Sequence, residues 1–292
     1  MKPLVLNAHA KINLYLRVLR KREDGYHDIE TLFERITLHD KITFSPSDDG
    51  EIHLDCRGSH LSAGPENLCY RAAEQFRKKF GIQKGIRIQL TKKIPIAAGL
   101  GGGSSDAAAV LSGLNQWWKV GASHRELLAL GGRIGADVPF FLLGKRRAIG
   151  KGRGDILDVG ARRRLAPTKA FYLIATPRIS ILTKDVYESW DKLNGLTPPS
   201  KNDNIKPLAS AGGGSASGRE WINDLEPVVI QKYEQVRGFA DHLRRAGLSK
   251  IRLSGSGPTF FAELQSQKEG KGWIQKIKTV YPNCQVYCVE GC

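Results

Sequence analysis

The stretch Pro95-Ile-Ala-Ala-Gly99-Leu-Gly-Gly-Gly-Ser104-Ser105-Asp106 most constrains what this chain folds into. Ahead of it, Ile86-Arg-Ile-Gln-Leu-Thr91 alternates apolar and polar residues with the period of a half-buried strand. Behind it, Ala107-Ala-Ala-Val-Leu111 is built from helix formers, and Ser104, Ser105 or Asp106 is available to cap the first turn. Glycines between strand and helix let the backbone turn tightly and approach an anion. The free N–H groups and positive end of the new helix then supply donors and field. The stretch reads as a phosphate cradle. It is not a Walker A loop, which needs Lys followed by Ser or Thr after the last glycine. It is not a dinucleotide fingerprint either, because Ser104 stands at the last glycine position.

A chain of 292 residues is long enough for two domains, and the boundary is expected near residue 160, giving 1–160 and 161–292. With 41% hydrophobic and 25% charged residues, wholesale disorder is excluded. No apolar run approaches the about 20 residues of a membrane span, and Met1 to Val5 lacks the apolar core of a signal peptide, so a cytoplasmic protein without membrane attachment is expected. Five scattered cysteines suit reduced thiols. Cys284, Cys288 and Cys292 have a regular spacing, but Cys284, Val286 and Cys288 fit one face of a final strand, and no metal ligand set is assigned.

Lys plus Arg outnumber Asp plus Glu by 45 to 29, a formal charge of +16. That favours anionic partners, either nucleic acid or phosphorylated metabolites. The short bursts Lys145-Arg-Arg147 and Arg162-Arg-Arg164 lack aromatic interleaving and read as solvated faces.

Along the chain, Leu4 to Leu19 reads as two short strands separated by a polar break at His9 to Asn13, which holds Lys11. Asp24-Gly-Tyr26-His27-Asp28 is a turn carrying two rings suited to a flat ligand. Strands are expected at Ile36–Phe44 and Glu51–Cys56, and a helix starting at Pro65-Glu-Asn67. Trp117 and Trp118 belong to the core, and a helix follows from Ser123 to Ile134. Asp137 enters an apolar run after Gly135, which makes it either an ion-paired core residue or a catalytic one. Gly144 to Asp155 is a charged hairpin. Beyond it, strand and helix alternate through Ala170–Pro177, Thr183–Leu193, Trp221–Leu243, Lys250–Leu253, Thr259–Leu264, Gly270–Tyr281 and Cys284–Val289. Residues 209–218 are a low-complexity connection. Ser254-Gly-Ser-Gly-Pro-Thr259 brings backbone close to the first cradle or makes a tight hairpin.

With Lys11-Ile-Asn13, Gly25-Tyr-His27, Pro95 to Asp106, Gly135-Ala-Asp-Val-Pro139 and Ser254-Gly-Ser-Gly-Pro258 in order, the chain resembles the GHMP small-molecule kinases over nearly its full length. The resemblance implies an α+β, two-domain fold with a ferredoxin-like carboxy-terminal domain and an active site in the interdomain cleft. It implies ATP as co-substrate with Mg²⁺. The phosphates would lie on Pro95, Ile96, Ala97, Ala98, Gly99, Leu100, Gly101, Gly102, Gly103, Ser104 and Ser105, with the base near Asn67. Lys11 and Asp137 would flank the acceptor hydroxyl, and Ser105 is a candidate Mg²⁺ contact. Lys-Ile-Asn plus Asp-Gly-Tyr-His point to the branch whose acceptor carries cytidine diphosphate. In that branch Asn13, Tyr26 and His27 would bind the cytidylyl group, with Tyr187 as the opposing aromatic. The implied reaction is phosphorylation of the 2-hydroxyl of cytidylyl-linked methylerythritol in non-mevalonate isoprenoid synthesis. The alternatives are a homoserine or mevalonate type of acceptor, or a non-catalytic nucleic-acid-binding module. His9, the Gly144-Lys145-Arg146 turn and Asp155 depart from the family pattern beside its motifs.

Overall fold

The computed structural model describes residues 2–159, 169–194 and 221–292. The expected boundary at 160, the Arg162 to Arg164 burst and the 209–218 connection lie outside the described residues. The chain forms two compact units interleaved in sequence: Met1–Lys11, Arg35–Ile96 and Gly101–Lys145 in one, and Ile12–Glu34, Ala97–Leu100 and Arg146–Cys292 in the other. Strands β1 (Leu4–Lys21) and β2 (His27–Ser47) pair with each other. The expected polar break in β1 does not exist. All of Ala10 to Leu14 is buried, so the alternation that would reveal a strand is lost where it runs unbroken.

In the first unit, Lys41 to Ser47 of β2 pairs antiparallel with β4 (Gly85–Thr91), and β3 (Ile52–Arg57) pairs parallel with β4. Ile86, Ile88 and Leu90 face inward and are fully buried. Over them lie α1 (Leu68–Phe80) and α2 (Gly102–Trp118), followed by α3 (His124–Ile134) and α4 (Val138–Leu142). Helix α1 begins where Asn67 Oδ1 accepts from Cys69 N–H at 2.9 Å, and Gly81, in the left-handed conformation, ends it. Ser123 and Glu126 form a reciprocal capping box on α3. Ala72, Phe76, Ala107, Leu111 and Leu114 share one core with Phe44. A Cβ on Gly113 would meet the Phe44 ring at 2.3 Å, so only glycine lets α2 lie this close to the sheet.

In the second unit, Thr31 to Glu34 of β2 pairs with β5 (Arg147–Lys151), which pairs with β6 (Ile156–Asp158). A separate four-stranded antiparallel sheet runs in the order β10 (Gln285–Glu290), β7 (Phe171–Thr176), β9 (Phe260–Leu264), β8 (Arg252–Leu253). Helices α5 (Thr183–Asn194), α6 (Glu226–Lys232) and α7 (Glu234–Arg245) separate β7 from β8, and α8 (Gln267–Val280) separates β9 from β10. Strand, helices, strand, strand, helix, strand in the order fourth, first, third, second is the ferredoxin-like arrangement expected from sequence. Leu173, Val186, Val229, Phe239, Leu243, Phe260 and Ile277 fill its core. The expected single element over Trp221–Leu243 is instead two helices that meet at Tyr233, where φ −112° and ψ 94° break the helical path.

Of the Lys145 to Arg147 burst, Lys145 is exposed as expected, but Arg146 and Arg147 are half-buried and not simply solvated. Glu34 is fully buried, and its two carboxylate oxygens pair with Arg146 at 2.7 Å and with Arg147. A buried carboxylate must be compensated, and these two arginines compensate it. All five cysteines are free, and Cys284 is buried with its thiol donating to the Thr176 carbonyl at 3.2 Å.

Candidate active site

Left-handed backbone at Ala97, Gly99 and Gly101 carries the chain through the glycine-rich loop. At Gly99 a Cβ would lie 2.1 Å from the Ser254 carbonyl oxygen, and Ser254 Oγ donates to the Gly99 carbonyl at 3.0 Å. Ser254 N–H also donates to Thr259 O at 2.9 Å. The second glycine-serine segment therefore closes a hairpin and packs on the loop, so both of its sequence readings hold. Helix α2 starts at Gly102 with Gly101 as its N-cap, and no side chain caps it. The expected caps at Ser104, Ser105 and Asp106 fail because the helix has already begun there. Ser105 and Asp106 are buried. An uncapped helix start preceded by glycine leaves its first N–H groups to an anion.

Against this helix start lies Lys11. A Cβ on Gly101 would stand 3.1 Å from both Lys11 Cγ and Cε. Lys11 Nζ is 3.6 Å from Asp137 Oδ2, and the two side chains are 5% and 29% exposed. Asp137 stands at the N-terminal cap of α4, just beyond Gly135, and a Cβ on Gly135 would lie 3.6 Å from Ser104 Oγ. Lys11, Asp137 and the start of α2 are thus neighbours. Burial pushes the Lys11 amine below its ordinary range, and Asp137 only partly offsets this. An anion arriving beside this buried amine would favour its charged form.

A second buried lysine supports the same helix. Lys92 Nζ donates to Asp106 Oδ2 at 2.8 Å and to Asp40, and the three side chains are 5%, 2% and 0% exposed. Asp40 Oδ1 also accepts from the backbone N–H groups of Lys93 and Ile94. Nothing local in the sequence signals this triad, because Asp40 and Lys92 are 52 residues apart. It ties β2 and the segment after β4 to α2.

In the second unit, His27 and Tyr187 are brought together, stacked with centroids 4.8 Å apart, and Trp190 meets His27 edge-on. His27 Nε2 and Asp191 Oδ1 lie 2.6 Å apart, and Lys21 Nζ donates to Asp191 Oδ2 at 2.7 Å. Burial alone would raise Asp191, yet the bonds from Lys21 and His27 outweigh it and hold the carboxyl below its usual range. Tyr26 is 57% exposed, and the Arg153 guanidinium sits 5.2 Å from its ring centroid. Asn13 is buried, with its side-chain amide donating to Thr31 Oγ1 at 2.8 Å and its N–H to Ser254 Oγ at 3.3 Å. Sequence reasoning missed Lys21, Thr31, Arg153 and Asp191, none of which lies in a motif.

Asn67 is half-buried, and its side-chain amide donates to the Ser62 carbonyl at 2.7 Å while its oxygen caps α1. It therefore orders the loop ahead of the helix. Ile96 and Ala97 are exposed, while Pro95, Ala98 and Leu100 are buried and anchor the loop. Among the described residues no group of three His, Cys, Asp or Glu side chains is placed to hold a metal ion.

The GHMP kinases N terminal domain family matches residues 67–145, and the GHMP kinases C terminal family matches residues 204–283. A 4-diphosphocytidyl-2-C-methyl-D-erythritol kinase from Moorella thermoacetica is 38% identical over 97% of both chains. One from Pelotomaculum thermopropionicum is 41% identical over 90% of both. A crystal structure of 4-(cytidine 5'-diphospho)-2C-methyl-D-erythritol kinase matches with a TM-score of 0.76 at 32% identity, covering 99% of this chain and 100% of the other. A homoserine kinase from Cytophaga hutchinsonii, 18% identical with a TM-score of 0.63, shares the fold. By its sequence, its two matched domains and its fold, the chain belongs to the GHMP kinase family.

Proposed function

We propose that the protein transfers the γ-phosphoryl group of ATP to the 2-hydroxyl of 4-diphosphocytidyl-2-C-methyl-D-erythritol, giving the 2-phosphate and ADP in non-mevalonate isoprenoid synthesis. The observation that carries this reading is the buried Lys11 beside Asp137 at an uncapped helix start. It occurs in a chain similar over nearly its full length to kinases of that name.

Phosphoryl transfer passes through a loose transition state, so positioning and charge stabilisation dominate. Asp137 accepts the hydroxyl proton late in the transfer. Lys11 orients that carboxylate and offsets charge on the moving group, its burial making each interaction stronger than in water. The N–H groups at the start of α2 receive the phosphates, and Asn67 fixes the loop near the base. Tyr26, His27, Asn13 and Tyr187 hold the cytidylyl group, with the exposed Tyr26 face offered for stacking. A Mg²⁺ would arrive with the nucleotide, and the Ser105 hydroxyl is the candidate oxygen contact for it within the cradle. When bound, that ion neutralises charge on the phosphates. The reading places the enzyme in the cytoplasm, which its five free cysteines suit.

The test is ADP release from Mg-ATP with the cytidylyl acceptor, beside the same sugar phosphate lacking cytidine, homoserine and mevalonate. Turnover that depends on the cytidylyl group is expected. Equal turnover with an acceptor lacking cytidine would move the substrate, and folded protein inactive with all four would overturn the reading.

A further inference from the structure

One face of α5 clasps the His27 ring. Tyr187, Trp190 and Asp191 stand at positions i, i+3 and i+4 of that helix, so their side chains leave it on the same side. Tyr187 stacks on the imidazole with the ring planes 23° apart, and Trp190 meets it at 84°. Asp191 Oδ1 lies 2.6 Å from Nε2, and the His27 and Asp191 side chains are 5% and 8% exposed. Lys21, the last residue of β1, donates to the other carboxylate oxygen at 2.7 Å. All five residues belong to the second unit.

This arrangement decides where the imidazole proton sits. Burial would raise the Asp191 carboxyl, but the bonds from Lys21 and His27 hold it low, so it is ionised. An ionised carboxylate only accepts hydrogen bonds, and Nε2 therefore carries a hydrogen. Lys21 already balances the Asp191 charge, so a neutral imidazole leaves the three groups without net charge. Nδ1 is then a bare acceptor. Among the described residues none donates to it.

We propose that Asp191, braced by Lys21, is a positioning residue that fixes the His27 proton on Nε2, so that Nδ1 accepts from the exocyclic amine of cytosine and the site selects cytidylyl over uridylyl acceptors. Along the pairing edge of cytosine the ring nitrogen and the carbonyl are both acceptors, so the amine is the one group a bare nitrogen can take. In uracil a carbonyl stands in the amine's place and meets Nδ1 lone pair to lone pair. Leaving a buried polar group unmatched is what makes such a site discriminate. The inference rests on the cytidylyl reading of the site.

Nitrogen NMR of the full chain with labelled histidine, His27 being assigned by its loss in His27→Gln, reads the tautomer directly. Wild type should carry the proton on Nε2 alone. In Asp191→Asn, Lys21 keeps the amide oxygen, because an ammonium needs an acceptor, and the amide NH₂ faces Nε2. The proton should then move to Nδ1. The kcat/KM preference for the cytidylyl acceptor over its uridylyl counterpart should fall at least about tenfold, through KM for the acceptor and not KM for ATP. Adding Lys21→Met to Asp191→Asn frees the amide to turn its oxygen toward His27, which should restore both tautomer and preference. A merely structural pair would not be repaired by removing its second member. A wild-type His27 protonated on Nδ1 would overturn the proposal without any variant having to fold. So would a tautomer that moves while the preference stays. If the tautomers behave as expected but turnover is indifferent to the cytidylyl group, the substrate reading falls instead, and base selection with it.

Discussion

Lys11 and Lys92 are both buried lysines of the first unit, and their environments drive them in opposite directions. Lys92 meets two carboxylates at hydrogen-bonding distance, and their attraction outweighs the cost of burial, so its amine is held above the ordinary value. Lys11 meets Asp137 at 3.6 Å, and burial wins, so its amine is pushed below that value. Lys92 is fully compensated and belongs to the architecture of the loop. For Lys11 burial outweighs Asp137, which under the proposed function suits it to meet phosphoryl charge. Under the proposed function, it is the balance of opposing charge and not burial alone that separates the structural ammonium from the catalytic one.

The largest expected effect is on stability. Lys92→Met leaves Asp40 and Asp106 buried without their cation, and should cost about 3 to 5 kcal/mol in urea unfolding. A loss below about 1 kcal/mol would mean that the triad is not what secures α2. Asp137→Asn should lower kcat by roughly 10³-fold while leaving the unfolding midpoint nearly unchanged, because this side chain is partly exposed. Retention of full turnover would remove the proposed base.

How much of this was readable beforehand differs between the two lysines. Lys11 stands out because it interrupts an apolar stretch and is followed by Asn13, and the glycine loop announces itself by the switch from strand to helix periodicity. Lys92 lies next to Lys93 and looks like surface charge, since its partners arrive from one distant strand and from a helix. The same reason hid the partnership of Glu34 with Arg146 and Arg147, which are 112 and 113 residues away. Local pattern reports local structure, and β1 shows its limit, because five consecutive buried residues erased the alternation. In the second unit Tyr26 and His27 were legible from their turn, whereas Asp191 and Lys21, which fix His27, were not.

Smaller effects sharpen the comparison. Tyr26→Ala should raise KM for the cytidylyl acceptor about tenfold and leave KM for ATP nearly constant. Equal shifts in both would contradict the stacking role. The pH dependence of stability should also separate the lysines. Between its lowered value and the ordinary 10.5, Lys11 binds fewer protons folded than unfolded, so its contribution to stability rises with pH. Lys92, held higher, contributes stability that is fully present below 10.5 and is lost above it. Any Tm advantage of Lys11→Met over wild type should thus shrink from pH 7.5 to pH 10, and a gap that widened would reverse the assignment.

The most direct test measures Lys11→Met twice on one preparation, by thermal unfolding at neutral pH and by ADP release with the cytidylyl acceptor. The account predicts a Tm equal to or above wild type, together with turnover reduced by about 10²-fold or more. A variant that unfolds well below wild type yet turns over at the wild-type rate while folded would contradict it, and would make Lys11 a second structural lysine.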